Sequence, residues 1–225
     1  ELSKSARQFG YRIEELRGHA VQSHTPFAPL RPLVLRLMRC ENASASSIVA
    51  ALDGTDLAPG LRNGVLELLG LDPADQTWNA LEARHRRAAM LDAACALVEL
   101  ALAQGPLLLI AEDVHNLDAE TGDFLTELHR LAGCAPLALA VTARNAGRDV
   151  ALRMTGEAVD LTPLDPAESW ELSSALIAGS PVDAAALARA VDHASGNPLF
   201  LQALVRDLRS GRGEGATPAS VTSLV

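Results

Sequence analysis

Five apolar residues, Leu107 to Ala111, run without a polar break and stop at two adjacent carboxylates, Glu112 and Asp113. A short apolar run entered through Gly105-Pro106 reads as a strand buried on both faces, as in a parallel sheet covered by helices. In open α/β sheets, ligands collect at the carboxyl ends of the strands. Paired acids beside a dry core are costly unless a cation or hydrogen-bond donors compensate them. A Mg²⁺–nucleotide site has that need. One carboxylate orders the metal's water shell, and its neighbour orients an attacking water or accepts its proton. The same two acids would also suit a helix N-terminus, facing the positive end of its dipole.

The rest of the chain sets this strand in a mixed α/β order. Residues 11–17 carry a weak strand pattern, and 19–29 form a polar, Pro-punctuated loop. An amphipathic helix follows, with Leu30, Leu33, Val34, Leu37 and Met38 on one face. Shorter helices are expected at 44–53 and 60–70. A single long helix is expected at 77–103, with Leu81, Ala88, Leu91, Cys95, Val98 and Leu102 facing inward. Asp118 can cap the next helix, which buries Phe124, Leu125, Leu128 and Leu131 and ends at Gly133. Leu137–Thr142 should be a neighbouring parallel strand, and Ala158–Leu161 a third, after a helix near 148–154. Beyond Pro163 the pattern is helical only. Asp165-Pro166-Ala167-Glu168 has the form of a capping box, and helices are expected at 166–178, 183–194 and 198–209. A Gly-rich linker covers 210–216. The predicted fold is an α/β core over 1–162 with a C-terminal helical lid over 163–225.

Composition narrows the class. Hydrophobic content is 48% but aromatic content only 3%, so Ala and Leu must fill the core. The net charge of −9 argues against a nucleic-acid surface on this segment. Cys40, Cys95 and Cys134 are three in number, widely spaced and without CxxC, and read as buried thiols of a reduced compartment. No apolar run reaches the roughly 20 residues of a membrane helix, and no signal peptide is visible. A cytoplasmic protein is expected. Leu2–Phe9 is helix-like without a visible start, and the helix opening at Thr217-Pro218 is cut within its apolar face, which predicts a longer polypeptide.

Five stretches agree in order and spacing with one family. They are Thr25-Pro26-Phe27-Ala28-Pro29-Leu30, Leu107 to Asp118, Val141-Thr142-Ala143-Arg144, Leu161-Thr162-Pro163-Leu164, and Gly196-Asn197-Pro198-Leu199-Phe200-Leu201. On these the chain resembles the AAA+/STAND signalling ATPases, most of all the ATPase modules of large bacterial LuxR-type transcriptional regulators and multidomain adenylate cyclases. The resemblance implies a P-loop NTPase-type parallel sheet. It makes Leu107–Asp113 the Walker B strand, with Glu112 on the metal side and Asp113 polarising water. Many relatives place Asp first, so the two roles stay open between these residues. It implies that Arg144 is a sensor arginine at the γ-phosphate; a surface Arg after a strand is the other reading. Gly196-Asn197-Pro198 matches a GxP motif whose proline packs by the adenine, and it also suits a helix C-cap followed by Pro at the next helix start. The implied cofactors are ATP and Mg²⁺. The implied partners are ATP or ADP, fused output or effector domains, and further copies of the chain. The implied role is a nucleotide switch in signalling or transcription, against the alternative of a non-catalytic ATPase-like scaffold.

One departure from the family is decisive for activity. No GxxxxGK[ST] loop occurs in the 225 residues, and Lys4-Ser5, the only Lys-Ser pair, has no upstream glycine. The resemblance would place the first strand and the phosphate loop before Glu1 and leave a slot in the sheet. ATP turnover by these residues alone is therefore not expected. Other chemistries fit less well. A phospho-acceptor receiver would need a lysine after the acids, and Lys4 is the only lysine. The histidines lack metal spacing, Ser195-Gly196 lacks a GxSxG context, and Arg84-His85-Arg86-Arg87 reads as a solvated helix face.

Overall fold

The computed structural model describes residues 2–40, 42–144 and 156–210. It contains α1 (Leu2–Gln8), β1 (Arg12–Arg17), a 3₁₀ turn (Ala20–Gln22), α2 (Leu30–Leu37), α3 (Ala45–Asp53), α4 (Pro59–Leu68), α5 (Gln76–Asn79), α6 (Ala83–Leu102), β2 (Leu107–Glu112), a second 3₁₀ turn (Val114–Asn116), α7 (Ala119–Ala132), β3 (Leu137–Val141), α8 (Pro166–Ile177), α9 (Ala184–Ala194) and α10 (Pro198–Arg209). The chain divides into two compact units, Glu1–Gly156 and Glu157–Val225.

The first unit is α/β. Among the described residues its three strands are all parallel in the order β1-β2-β3, with helices in both crossovers. Central β2 buries Leu107, Leu108, Leu109 and Ala111. An unbroken apolar run is what a strand needs when both of its faces are covered. Strand β1 alternates instead over its second half, burying Glu14 and Leu16 and exposing Glu15 and Arg17. Glu14 is only 5% exposed, and two guanidiniums neutralise it: Arg12 at 2.8 Å and Arg36 at 2.9 Å. Arg36 also donates to the Glu15 carbonyl, which ties α2 to the strand's main chain. The core joins β1, β2, α2, α3, α4, α6 and α7.

Helix boundaries follow their caps. The Asp118 side chain caps α7, and Gly133 closes it. Phe124, Leu125 and Leu128 are buried as their spacing requires, with Leu131 packed alongside. In the second unit Asp165 and Glu168 form the full capping box of α8. Helices α8, α9 and α10 enclose a small core around Leu187, Val191, Ala194, Leu201 and Val205.

Four expectations are corrected, one of them only in part. The helix expected over 77–103 is broken: Asp75 caps the one-turn α5, and Glu82, in an extended conformation, starts α6 anew. The break lets Trp78 turn into the interior at 3% exposure, and Leu81 is left exposed. The most buried face of α6 is Ala93, Ala94, Leu97, Val98 and Ala101; Val98 is buried as expected and Leu91, Cys95 and Leu102 pack at the edge of the core, but Ala88 is exposed. The reason is packing. Gly64 of α4 lies so close to α6 that only small residues fit between them. Ala158–Leu161 is not a strand; Val159 and Leu161 are exposed, and among the described residues the segment has no strand to pair with and so no ladder to join. Of the cysteines, Cys40 and Cys95 are partly buried and Cys134 is exposed. The expected helix near 148–154, most of the linker after Ser210 and the start at Thr217 lie outside the described residues.

Candidate functional site

The three strand ends converge on Glu112 and Asp113. Glu112 is the last residue of β2, and the β1–β2 register sets it opposite Arg17. The ladder continues one step further, because the Gly18 N–H donates to the Glu112 carbonyl at 2.9 Å. On the other side the Asp113 N–H donates to the Thr142 hydroxyl at 3.1 Å. The Thr142 N–H donates to the Ala111 carbonyl at 2.9 Å, and the Val114 N–H to the Thr142 carbonyl at 3.0 Å. The main chain carrying both acids is thus held by β1 and by the segment following β3.

That main chain is strained. Asp113 has φ 53° and ψ 45°, the left-handed region. A non-glycine residue there costs on the order of 1–2 kcal/mol, least for Asn and Asp. The surroundings enforce it. Gly18 leaves no space for a β-carbon beside the Asp113 carbonyl oxygen or the Asn116 side chain. The turn then passes into the 3₁₀ segment and α7. Asp118 is 4% exposed. Its Oδ1 accepts from the Thr121 N–H and from the Phe27 N–H, each at 3.0 Å, and its Oδ2 from the Thr121 hydroxyl at 2.7 Å. The Thr25–Leu30 loop is therefore anchored to the connection that follows the acids, 91 residues along the chain. Phe27, also at positive φ, is buried there.

Arg17 faces the acid pair. Its Nε lies 3.6 Å from Glu112 Oε2, and its Nη2 lies 3.7 Å from Asp113 Oδ2. Beside β1 opens a cavity of about 540 Å³, lined among others by Arg7, Ile13, Glu15, Arg17, His19 and Glu112. Its volume is in the range of small-molecule clefts. Arg144 follows β3 with its side chain exposed. Its main-chain N–H points to His115 Nδ1 at 3.4 Å, a long contact that ties the two strand-end loops.

The strand-end residues offer two carboxylates to a cation. Among the described residues no group of three or more His, Cys, Asp or Glu side chains could hold an ion. Two carboxylates are too few for an all-protein cage. Mg²⁺ is the cation that one or two carboxylates could hold, because it keeps several waters and takes further ligands from phosphates. Lys4 sits inside α1.

Gly196, Asn197 and Pro198 lie in the second unit, between α9 and α10. Ser195 and Gly196 both have positive φ. Asn197 caps α10 by accepting from the Leu199 and Phe200 N–H groups, and Pro198 begins the helix. The Gly196 carbonyl accepts from the Leu164 N–H at 2.9 Å. A β-carbon on Gly196 would stand 2.5 Å from the Leu164 carbonyl oxygen. The Leu161–Leu164 stretch and the Gly196–Leu201 stretch therefore meet, as the three stretches around Asp113 do in the first unit.

Arg17 and Gly18 belong to the site without having been singled out from the sequence, and Thr142, named there within the Val141–Arg144 stretch, had been given no role of its own. A strand-like segment ending in Arg-Gly, and Thr immediately after the second apolar run, were the available signals. Comparison with family models, curated proteins and solved structures gave no match to the chain.

Proposed function

We propose that this chain is part of a nucleotide-dependent switch, with Glu112 and Asp113 receiving the Mg²⁺ of a bound ATP. The observation that carries the reading is the acid pair itself. Two carboxylates close a buried parallel strand, on a strained turn that both neighbouring segments hold in place. Structural acids need no such turn, whereas strain held in place by its surroundings is characteristic of functional positions. Bound there, Mg²⁺ would neutralise phosphate charge. Glu112 and Asp113 would order its water shell, and one of them would orient the attacking water. Arg144, beyond β3, is the residue for a γ-phosphate fork. Gly196, Asn197 and Pro198 are proposed for the adenine side. ATPase chemistry, the P-loop NTPase-type core and the signalling role belong to this same proposal, as do fused output domains and self-association.

Within these residues the switch is incomplete. Without a lysine and a nest of N–H groups on the phosphates, little offsets repulsion between acids and nucleotide. A second reading, a non-catalytic scaffold, is favoured by one observation: Arg17 already offsets part of the acids' charge. The two readings separate on turnover. In a longer native polypeptide that joins these residues to a GxxxxGK[ST] loop, Asp113→Asn should slow ATP hydrolysis by roughly 10²-fold or more while leaving nucleotide affinity intact. Equal turnover in wild type and Asp113→Asn would reject the catalytic reading and leave the scaffold.

A further inference from the structure

Strand β1 carries two ion pairs of opposite character. Glu14 is enclosed by Arg12 and Arg36 at hydrogen-bond distance, with its side chain 6% exposed. Three positions along, Arg17 reaches Glu112 and Asp113 only at 3.6 and 3.7 Å, beyond a normal hydrogen bond, and its side chain is 61% exposed. Among the described residues it is the one cation within 4 Å of either acid that the structure places there. Its main chain is fixed opposite Glu112 by the ladder, but its guanidinium is loosely held and borders the open cavity beside β1.

We propose that Arg17 is the built-in counter-ion of the acid pair, and that a divalent cation reaches Glu112 and Asp113 by displacing its guanidinium. The inference rests on the Mg²⁺ reading of these acids and adds how access to them is regulated. A Mg²⁺ ion lies roughly 2 Å from its ligand oxygens. Ion and guanidinium on the same two oxygens would face each other with like charge at short range. The contacts of Arg17 therefore belong to the metal-free form. There the one positive charge offsets part of the repulsion between the two carboxylates and competes with other cations for them. Gly18 and Thr142 hold the main chain while the side chains exchange partners, so the exchange needs no movement of the sheet. Arg17 is a positioning residue; it does not act on substrate.

The test uses Mn²⁺ alone as the probe, with binding to the 225-residue chain read by water-proton relaxation. Arg17→Gln, which removes the charge and keeps most of the stem, should tighten Mn²⁺ binding roughly fivefold, the upper size of an exposed ion pair. Arg17→Lys keeps the charge and should stay near wild type. A residue that merely supports the fold would give the opposite sign in Arg17→Gln. Equal or weaker binding in Arg17→Gln, with binding lost in Glu112→Gln/Asp113→Asn, would overturn the Arg17 inference and leave the acids as the metal site. Binding unchanged in the Glu112→Gln/Asp113→Asn variant, or absent from wild type and Arg17→Gln alike, would overturn the metal reading and this inference together.

Discussion

Gly18 stands against the main-chain carbonyl of Asp113 with no space for a β-carbon between them. The contact joins the end of β1 to the turn that carries the acid pair, in line with the hydrogen bond from the Gly18 N–H to the Glu112 carbonyl. Gly18 does not need positive φ, so its requirement is space rather than conformation. Gly18→Ala must move one backbone away from another, and overpacking of this kind costs about 1–3 kcal/mol. Urea unfolding should show a lower midpoint with an unchanged slope. A midpoint equal to wild type would show that the strand ends are not as closely packed as described.

Asp118 is expected to matter more than an ordinary cap. It accepts from three donors, and one of them, the Phe27 N–H, belongs to a loop far away in the chain. Asp118→Ala should cost about 2–4 kcal/mol, a lost cap plus buried donors left unsatisfied. Asp118→Asn keeps an acceptor oxygen and should cost less. Amide exchange at Phe27 should accelerate in the alanine variant; if it does not, the loop is held by packing alone.

Gly64→Ala sets helix propensity against space. Alanine is preferred to glycine within a helix by about 1 kcal/mol. Here the new β-carbon would lie 2.6 Å from the Ala89 carbonyl oxygen and 2.9 Å from the Ala93 β-carbon. Overpacking against backbone costs about 1–3 kcal/mol and should win, so the variant should be less stable in thermal unfolding. A stabilised variant would mean that α4 and α6 can separate at no cost.

The two cysteines of the α6–α7 groove should behave differently. Burial, reinforced by Glu127, Asp92 and Glu99, pushes the Cys95 thiol from 9.0 up to about 12. Arg130 and Cys134 share the same groove, and Cys134 is exposed. Alkylation of the native protein at mildly alkaline pH should modify Cys134 and spare Cys95. The folded state holds the Cys95 proton more tightly than the unfolded state. Its contribution is therefore fully present below about pH 9 and is lost as the pH rises toward about 12. Cys95→Ala should flatten the fall of stability across that window. An unchanged alkaline profile would show that the thiol is not desolvated.

What could be read from the residues depended on how local the signal was. The strand Leu107–Glu112 was legible because burial on both faces demands an unbroken apolar run, and so were the caps at Asp118 and Asp165. The inward face of α6 was not, because Ala and Leu surround much of that helix and its contact with Gly64, far away in the chain, selects the buried side. The acids were legible as a pair at a strand end. Their setting was not: Arg17 and Gly18 come from β1 and Thr142 from the end of β3, and only the parallel register brings them together. Ala158–Leu161 has strand-like residues but no described neighbour to pair with, and pairing is not a local property.

The most direct test of the central claim is calorimetry of the 225-residue chain with ATP, with and without Mg²⁺, in wild type and in Glu112→Gln/Asp113→Asn. The account predicts weak binding that requires Mg²⁺ and vanishes in the double variant, because the acids contribute to affinity only through the metal. Binding of the same strength without Mg²⁺ or in the double variant, or no Mg²⁺-dependent heat even at millimolar nucleotide, would contradict it.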